Sequence, residues 1–282
     1  MRDGIILINK PKGPSSNQTL QKVKQRLAIK KAGHFGTLDP LASGLLIIGL
    51  NKGTKLSKLF LNDDKSYEAV IKFGQRTNTD DAEGDVIDTS LKKVSKSEVV
   101  ETLSSFVGVQ EQVPPTYSAI KIKGMPAYKY ARDGKVIELQ SRKINIYEVL
   151  MKDFEFPFLT LSIKCSKGTY IRSLARDIGI NVDSCAHLHS LKRTNQGHFS
   201  LSEAHNENNV NLNKIYSIEK ATNDLERCDI TVDQIKILKN AKSFKLDDCD
   251  SQKKNFVRIY SQDIFLGVGK FNNNHLFKEF LV

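Results

Sequence analysis

Asp39 is the residue of this 282-residue chain whose setting most suggests chemistry. It is the only acid between residues 4 and 60, it lies in the loop GHFGTLDPLASG between Gly33 and Gly44, and Pro40 follows it. Pro40 lacks a backbone donor and holds Asp39 in extended or turn geometry. A carboxylate alone among cations stays ionised, which suits a nucleophile or a base. The same Asp-Pro pair is common in ordinary turns, so spacing leaves both readings open. Arg172 is the second candidate. It falls in the first turn of the helix expected from IRSLARDIG, where the helix dipole disfavours a cation, and an anionic partner would account for it. Tyr67 and Tyr170 each stand beside an expected element and could stack on a base, although core packing is the commoner fate of a strand tyrosine.

Other chemistries find less support. Cys185, His187 and His189 alternate and would share one face of a strand, but no second cluster completes a zinc site. The acidic run Asp80, Asp81, Glu83, Asp85 and Asp88 lacks the Gly and final Glu of an EF-hand and reads as a solvated loop. There is no GxxxxGK[ST] and no Rossmann fingerprint, so nucleotide cofactors are not indicated, and a Ser-His-Asp reading lacks its GxSxG elbow.

Positioning such residues requires a core. Apolar residues make up 39% of the chain and charged residues 27%, with 17 Gly and 7 Pro, the composition of a globular protein. GIILIN (4–9) reads as a buried strand stopped by Pro11 and Gly13. Ser15 or Ser16 caps a helix in which Leu20, Val23 and Leu27 recur at helical spacing. The Asp39 loop runs into the apolar LLIIGL, residues 67–73 alternate as a half-buried strand, and SKSE opens a capped helix over 95–106. Residues 159–165 form another strand, after which Lys167-Gly168 turns into the Arg172 helix, expected to end at Gly179. Strands and helices mix without a βαβ beat, so the expected class is α+β. Beyond about residue 205 the chain becomes Asn-rich, and from Asp229 a short helix precedes strand-like FVRIY, IFLGVG and FKEFLV, with a turn at 272–274.

The chain carries 43 Lys and Arg against 32 Asp and Glu, a net +11. Residues 1–60 alone hold a net +9, whereas 61–220 and 221–282 each hold +1. Counterion release on phosphate binding gives such a cluster a direct use, so a polyanionic partner is expected; a solvated basic helix is the plainer reading. Lys22, Lys24, Arg26, Lys30 and Lys31 lie on or beside the first expected helix. Cys165, Cys185, Cys228 and Cys249 form no CxxC pair, no signal-peptide core is present, and no apolar run could span a membrane. Those features lead to an expectation of a cytoplasmic protein.

GHFGTLDPLASG, KSYEA (65–69), YSAIKIKGMPAYKYAR (117–132), CSKGTYIRSLARDIG (165–179) and LKRTNQGHF (191–199) closely resemble the successive motifs of the TruB family of tRNA pseudouridine synthases. The resemblance is collinear from about residue 3 to 220, and the tail is more weakly similar to a PUA-type RNA-binding domain. Phe35 departs from the pattern, standing where family members often have a small residue or Thr. The resemblance implies a pseudouridine synthase fold, with a central mixed, largely antiparallel sheet flanked by helices. Residues 1–225 would form the catalytic domain and 226–282 an abbreviated PUA-like domain. It implies isomerisation of uridine 55 in the tRNA T-loop to pseudouridine, by a monomer that needs no metal, cofactor, membrane or protein partner. By motif position, Asp39 is the catalytic carboxylate and Arg172 its ion-pair partner. Tyr67 stacks on the target base and assists proton removal, Tyr170 and Leu191 line the pocket, and His34 contacts the RNA as the base leaves its stack. Charge placement adds Lys22, Lys24, Arg26, Lys30 and Lys31 as phosphate contacts. Two alternatives stand beside this reading: a synthase acting on another RNA or through a guide RNA, and a catalytically silent RNA-binding protein. The short tail argues against the first, and Asp39 with Arg172 against the second.

Overall fold

Two apolar runs near the N-terminus become strands buried on both faces. The computed structural model describes residues 2–118, 120–122, 124–135, 137–241, 243–245, 256–272 and 275–282. In it β1 (Gly4–Lys10) is followed by α1 (Ser16–Arg26), β2 (Ala32–His34) and β3 (Ala42–Leu50). β1 and β3 pair antiparallel from Gly4↔Leu50 to Lys10↔Gly44. Ile6, Ile8, Leu46 and Ile48 face Leu20 and Val23 of α1 and Leu27 just past its end, while Ile5, Leu7, Leu45 and Ile47 face a second core. Burial on both faces explains why these strands read as unbroken apolar runs rather than as alternation.

The chain continues through α2 (Ser57–Phe60), β4 (Lys65–Phe73), α3 (Lys96–Ser105), β5 (Gly108–Gln112), α4 (Ala127–Arg132), β6 (Arg142–Glu155), β7 (Phe158–Cys165) and α5 (Ile171–Asn181). Then come β8 (Ala186–Gln196), β9 (Phe199–Ser200), β10 (His205–Asn206) and α6 (Ile218–Ala221). The ten strands form one sheet in the order β10, β1, β3, β8, β4, β7, β6, β5, with β2 added to β3 and β9 to β8. Only β1 with β10 and β3 with β8 pair in parallel, so the sheet is mixed and largely antiparallel, as expected. Tyr67, Ala69, Ile71 and Phe73 of β4 and Leu159, Leu161 and Ile163 of β7 build the largest core, closed by Ile171, Leu174 and Ile178 of α5 and Val99 and Leu103 of α3.

Ser15 caps α1 and Ser95 caps α3, each with a capping box. The expected stop at Gly179 is corrected: α5 runs on to Asn181, and Asp183 takes the left-handed position with φ 50°. Gly179 serves another purpose, because a Cβ there would sit 2.6 Å from the Ala186 nitrogen where β8 begins.

The tail forms β11 (Glu226–Asp229), α7 (Val232–Asn240), β12 (Ser243–Lys245), β13 (Phe256–Ser261), β14 (Ile264–Asn272) and β15 (His275–Leu281). These strands make a five-stranded sheet in the order β11, β13, β14, β15, β12. Its Val268 and Phe280 join the core that holds Ile5, Leu7 and Phe35, so the two sheets share buried apolar surface. Asn273 and Asn274 of the expected turn, and Cys249, lie outside the described residues. Among the described residues no helix is long and apolar enough to cross a membrane.

Candidate active site

The expected 33–44 loop is shorter in the structure, because β2 and β3 take up its ends; residues 35–41 between them lack regular structure and are fastened from several sides. Leu38 and Leu41 sink into the main core. Ser16 Oγ accepts from the Leu38 N–H and donates to the Leu38 carbonyl, both at 2.8 Å. The Gly13 N–H donates to the Pro40 carbonyl at 2.8 Å. From β8, buried Arg193 donates to the Leu45 carbonyl at 2.7 Å and to the Gly36 carbonyl at 3.0 Å. Gly44 permits that crossing: with φ 100°, a Cβ on it would lie 2.3 Å from the Arg193 carbonyl oxygen. Thus fixed, Asp39 lines a cleft of about 660 Å³ with its side chain 39% exposed.

Arg172 reaches the same cleft from the first turn of α5. Its Nε lies 3.0 Å from Asp39 Oδ2, an ion pair rather than an aligned hydrogen bond. Nη1 donates to the Thr79 carbonyl at 3.1 Å and Nη2 to the Tyr117 carbonyl at 3.0 Å, while Asp81 Oδ2 lies 3.5 Å from Nη1. Two carboxylates thus offset the dipole that disfavours a cation at this helix position.

Asp39 is not the lone carboxylate expected from the sequence, since Asp81 and Glu83 line the same cleft. Burial pushes its pKa above the ordinary carboxylate value; Arg172 opposes this, Asp81 adds to it and Lys10 opposes it. The reading of the 80–88 run as solvated holds for exposed Glu83, Asp85 and Asp88 and is corrected at its other two acids. Asp80 and Asp81 are buried, Asp81 beside Arg172 and Asp80 at 2.9 Å from Arg176. Alternating acids and small residues look solvated in sequence, and the buried arginines that pair with two of them come from α5, far along the chain.

Tyr67 projects from β4 opposite Arg193 of β8, whose charge opposes the effect of burial on the phenol. Burial raises the phenol pKa. Gln112 of β5 clamps the Tyr170 backbone, accepting from its N–H at 2.8 Å and donating to its carbonyl at 3.1 Å. Arg142 lies over the Tyr170 ring at 4.6 Å. Asp39, Tyr67, Tyr170, Arg172 and Leu191 therefore share one cleft, together with Lys65, Asp81, Tyr117, Tyr128, Arg142 and Arg193. Of these additions, Lys65, Tyr117, Tyr128 and Arg193 lie within the quoted motifs, the signal that could have nominated them.

His34, Lys30 and Lys31 do not line the cleft. His34 sits on β2 opposite Ile48, its pKa lowered by burial and by Arg193, and both lysines are exposed just before that strand. Much of the nearby charge has internal partners. Lys10 is fully buried and donates to the Pro11 and Pro14 carbonyls, Lys22 pairs with buried Glu207 at 2.8 Å, and Arg26 donates to the Val210 carbonyl. Cys185, His187 and His189 do not converge: His187 Nδ1 lies 2.9 Å from the Gln75 carbonyl, and His189 packs against the Phe158 ring.

Comparison with solved structures places the architecture. A chain in an H/ACA ribonucleoprotein bound to a substrate RNA containing 2'-deoxyuridine aligns with a TM-score of 0.69 at 22% identity, covering 96% of this chain and 78% of that one. A chain in a Cbf5-Nop10-Gar1 complex aligns with a TM-score of 0.70 at 23% identity, covering 95% and 78%. The fold is that of the pseudouridine synthases. Residues 24–171 match the model of the TruB family pseudouridylate synthase N-terminal domain. A protein of Burkholderia lata named tRNA pseudouridine synthase B is 40% identical, covering 99% of this chain and 90% of its own. One of the same name from Mannheimia succiniciproducens is 38% identical, covering 98% and 94%. The chain belongs to the TruB family of pseudouridylate synthases.

Proposed function

We propose that this protein isomerises uridine 55 in the T-loop of tRNA to pseudouridine, with Asp39 as the catalytic carboxylate. The observation that carries this reading is the Asp39–Arg172 pair, 3.0 Å apart, in a cleft also lined by Tyr67, Tyr170 and Leu191. The relatives named for tRNA supply the substrate class. The reaction breaks the C1'–N1 bond, turns the uracil and joins C1' to C5; C5 loses a proton and N1 gains one. No electrons enter or leave, so the chemistry calls for no redox cofactor. Asp39 attacks C1' or takes a proton from the sugar, and either route needs the ionised form that Arg172 favours.

Tyr67 stacks on the uracil and assists loss of the C5 proton, while Tyr170 and Leu191 wall the pocket. His34, Lys30 and Lys31, outside the cleft, contact the RNA backbone and the opened loop. Residues 226–282 act as a small RNA-binding domain beside a catalytic domain of residues 1–225. The protein works in the cytoplasm as a monomer without an obligatory protein partner. Pseudouridine mapping on an unmodified tRNA transcript incubated with the purified protein tests this reading. A single modified uridine in the T-loop is expected; modification elsewhere, or none, overturns it.

A further inference from the structure

Phe35 lies four residues before Asp39, yet its ring is 1% exposed and sits in a core rather than in the cleft. It packs on Gly49 of β3, where a Cβ would lie 2.4 Å from Phe35 Cζ, and its ring centre is 5.7 Å from that of Phe60. Gln196 ties the two backbones together, donating to the Phe35 carbonyl at 2.7 Å and to the Phe60 carbonyl at 2.8 Å. Phe60 ends α2, and this segment is held by the tail: Lys58 pairs with Glu279 of β15 at 2.6 Å, and Lys55 Nζ lies 5.6 Å from the centre of the Phe280 ring. Phe35, Phe60, Val268 and Phe280 belong to one buried cluster. One buried cluster therefore joins the C-terminal sheet, α2 and Phe35, which opens the irregular segment before Asp39.

We propose that Phe35 is a positioning residue through which the C-terminal sheet holds the Asp39 loop in register. The proposal rests on the reading of Asp39 as the catalytic carboxylate. Gly36, with φ 120°, follows Phe35 and offers no side chain of its own to fix the loop. The Phe35 ring is thus the apolar anchor at the N-terminal end of the segment, while Leu38 and Leu41 flank Asp39 itself. Close-packed interiors transmit displacement, and a small misplacement of a reacting group costs a large factor in rate. A small residue at position 35 would uncouple the tail from the loop.

The test uses the full chain with Phe35→Ala, Phe280→Ala, both together, and Phe35→Leu. Ile259→Val, in the separate core of the C-terminal sheet, controls for general loss of stability. The readouts are deuterium uptake by residues 34–41, tRNA affinity, and the single-turnover rate at saturating tRNA. Phe35→Ala and Phe280→Ala are each expected to raise uptake there and to slow turnover about tenfold, with affinity changed less than about threefold. The double variant should resemble the slower single one, because both act through one contact chain. Phe35→Leu should restore most of the rate, and Ile259→Val should leave uptake and rate unchanged. Phe280→Ala with wild-type uptake and rate, or multiplicative effects in the double variant, would overturn the proposal. A wild-type chain that forms no pseudouridine would sink the functional reading instead, and the uptake comparison would still decide this one.

Discussion

At Asp39 burial and charge act in opposite directions. Desolvation and Asp81 raise its pKa above the usual value of about 4, while Arg172 and Lys10 resist. In the proposed role of Asp39 the ionised form acts, so the acid limb of kcat/KM should lie above pH ~4 and move further up in Arg172→Gln. A limb that stays in place would count against the pairing. Asp39→Asn is expected to abolish tritium release from tRNA labelled at uridine C5 while leaving affinity within about tenfold, and comparable residual release would remove its assigned role. Asp63 gives a stability test. Burial pushes its carboxyl to about 7 against the opposing charge of Lys65, itself lowered to about 8. Between about pH 4 and 7 the folded chain then keeps a proton that the unfolded chain has lost, so stability falls as pH rises through that window. Asp63→Asn should flatten this fall in urea unfolding followed across the window; parallel curves for the two proteins would refute it.

At the scale of elements, close backbone crossings decide where glycine is required. Gly44 combines φ 100° with a Cβ position 2.3 Å from the Arg193 carbonyl, whereas Gly13, at φ 109°, would meet nothing within 4 Å. Gly44→Ala should cost more than ~2 kcal/mol in urea unfolding, and Gly13→Ala only the backbone strain of about 1 kcal/mol. Equal costs would show that the β3–β8 crossing is looser than described. The Gly179 misreading has the same origin, since a helix glycine signals a stop in sequence but here admits β8. Capping boxes and the apolar runs of β1 and β3 were legible because they depend on neighbours in the chain.

At the scale of the molecule, the +9 of the first 60 residues is divided by the fold. Lys10, Lys22, Arg26 and Lys58 have partners within the protein, whereas Lys30 and Lys31 are exposed. Neutralising Lys30 and Lys31 should flatten the salt dependence of T-arm binding by roughly one to two units of slope. Lys22→Gln should instead lower Tm by leaving buried Glu207 without its cation, with a smaller effect on the slope. Salt titrations and thermal melts of the three-way set would separate the roles, and an unchanged slope for the lysine pair would place the RNA on another face.

The sequence by itself determined the α+β class and most strand and helix positions, and it nominated Asp39, Tyr67, Tyr170, Arg172 and Leu191, which the fold gathers in one cleft. Each of those rests on local periodicity, capping or a contiguous motif. Only the tertiary structure decided that Asp81 shares Arg172 with Asp39, that Arg193 and Gln196 fasten the loop, and that the tail joins its core. Burial and partnership between residues about ninety or more positions apart depend on which strands meet, and no local pattern specifies that.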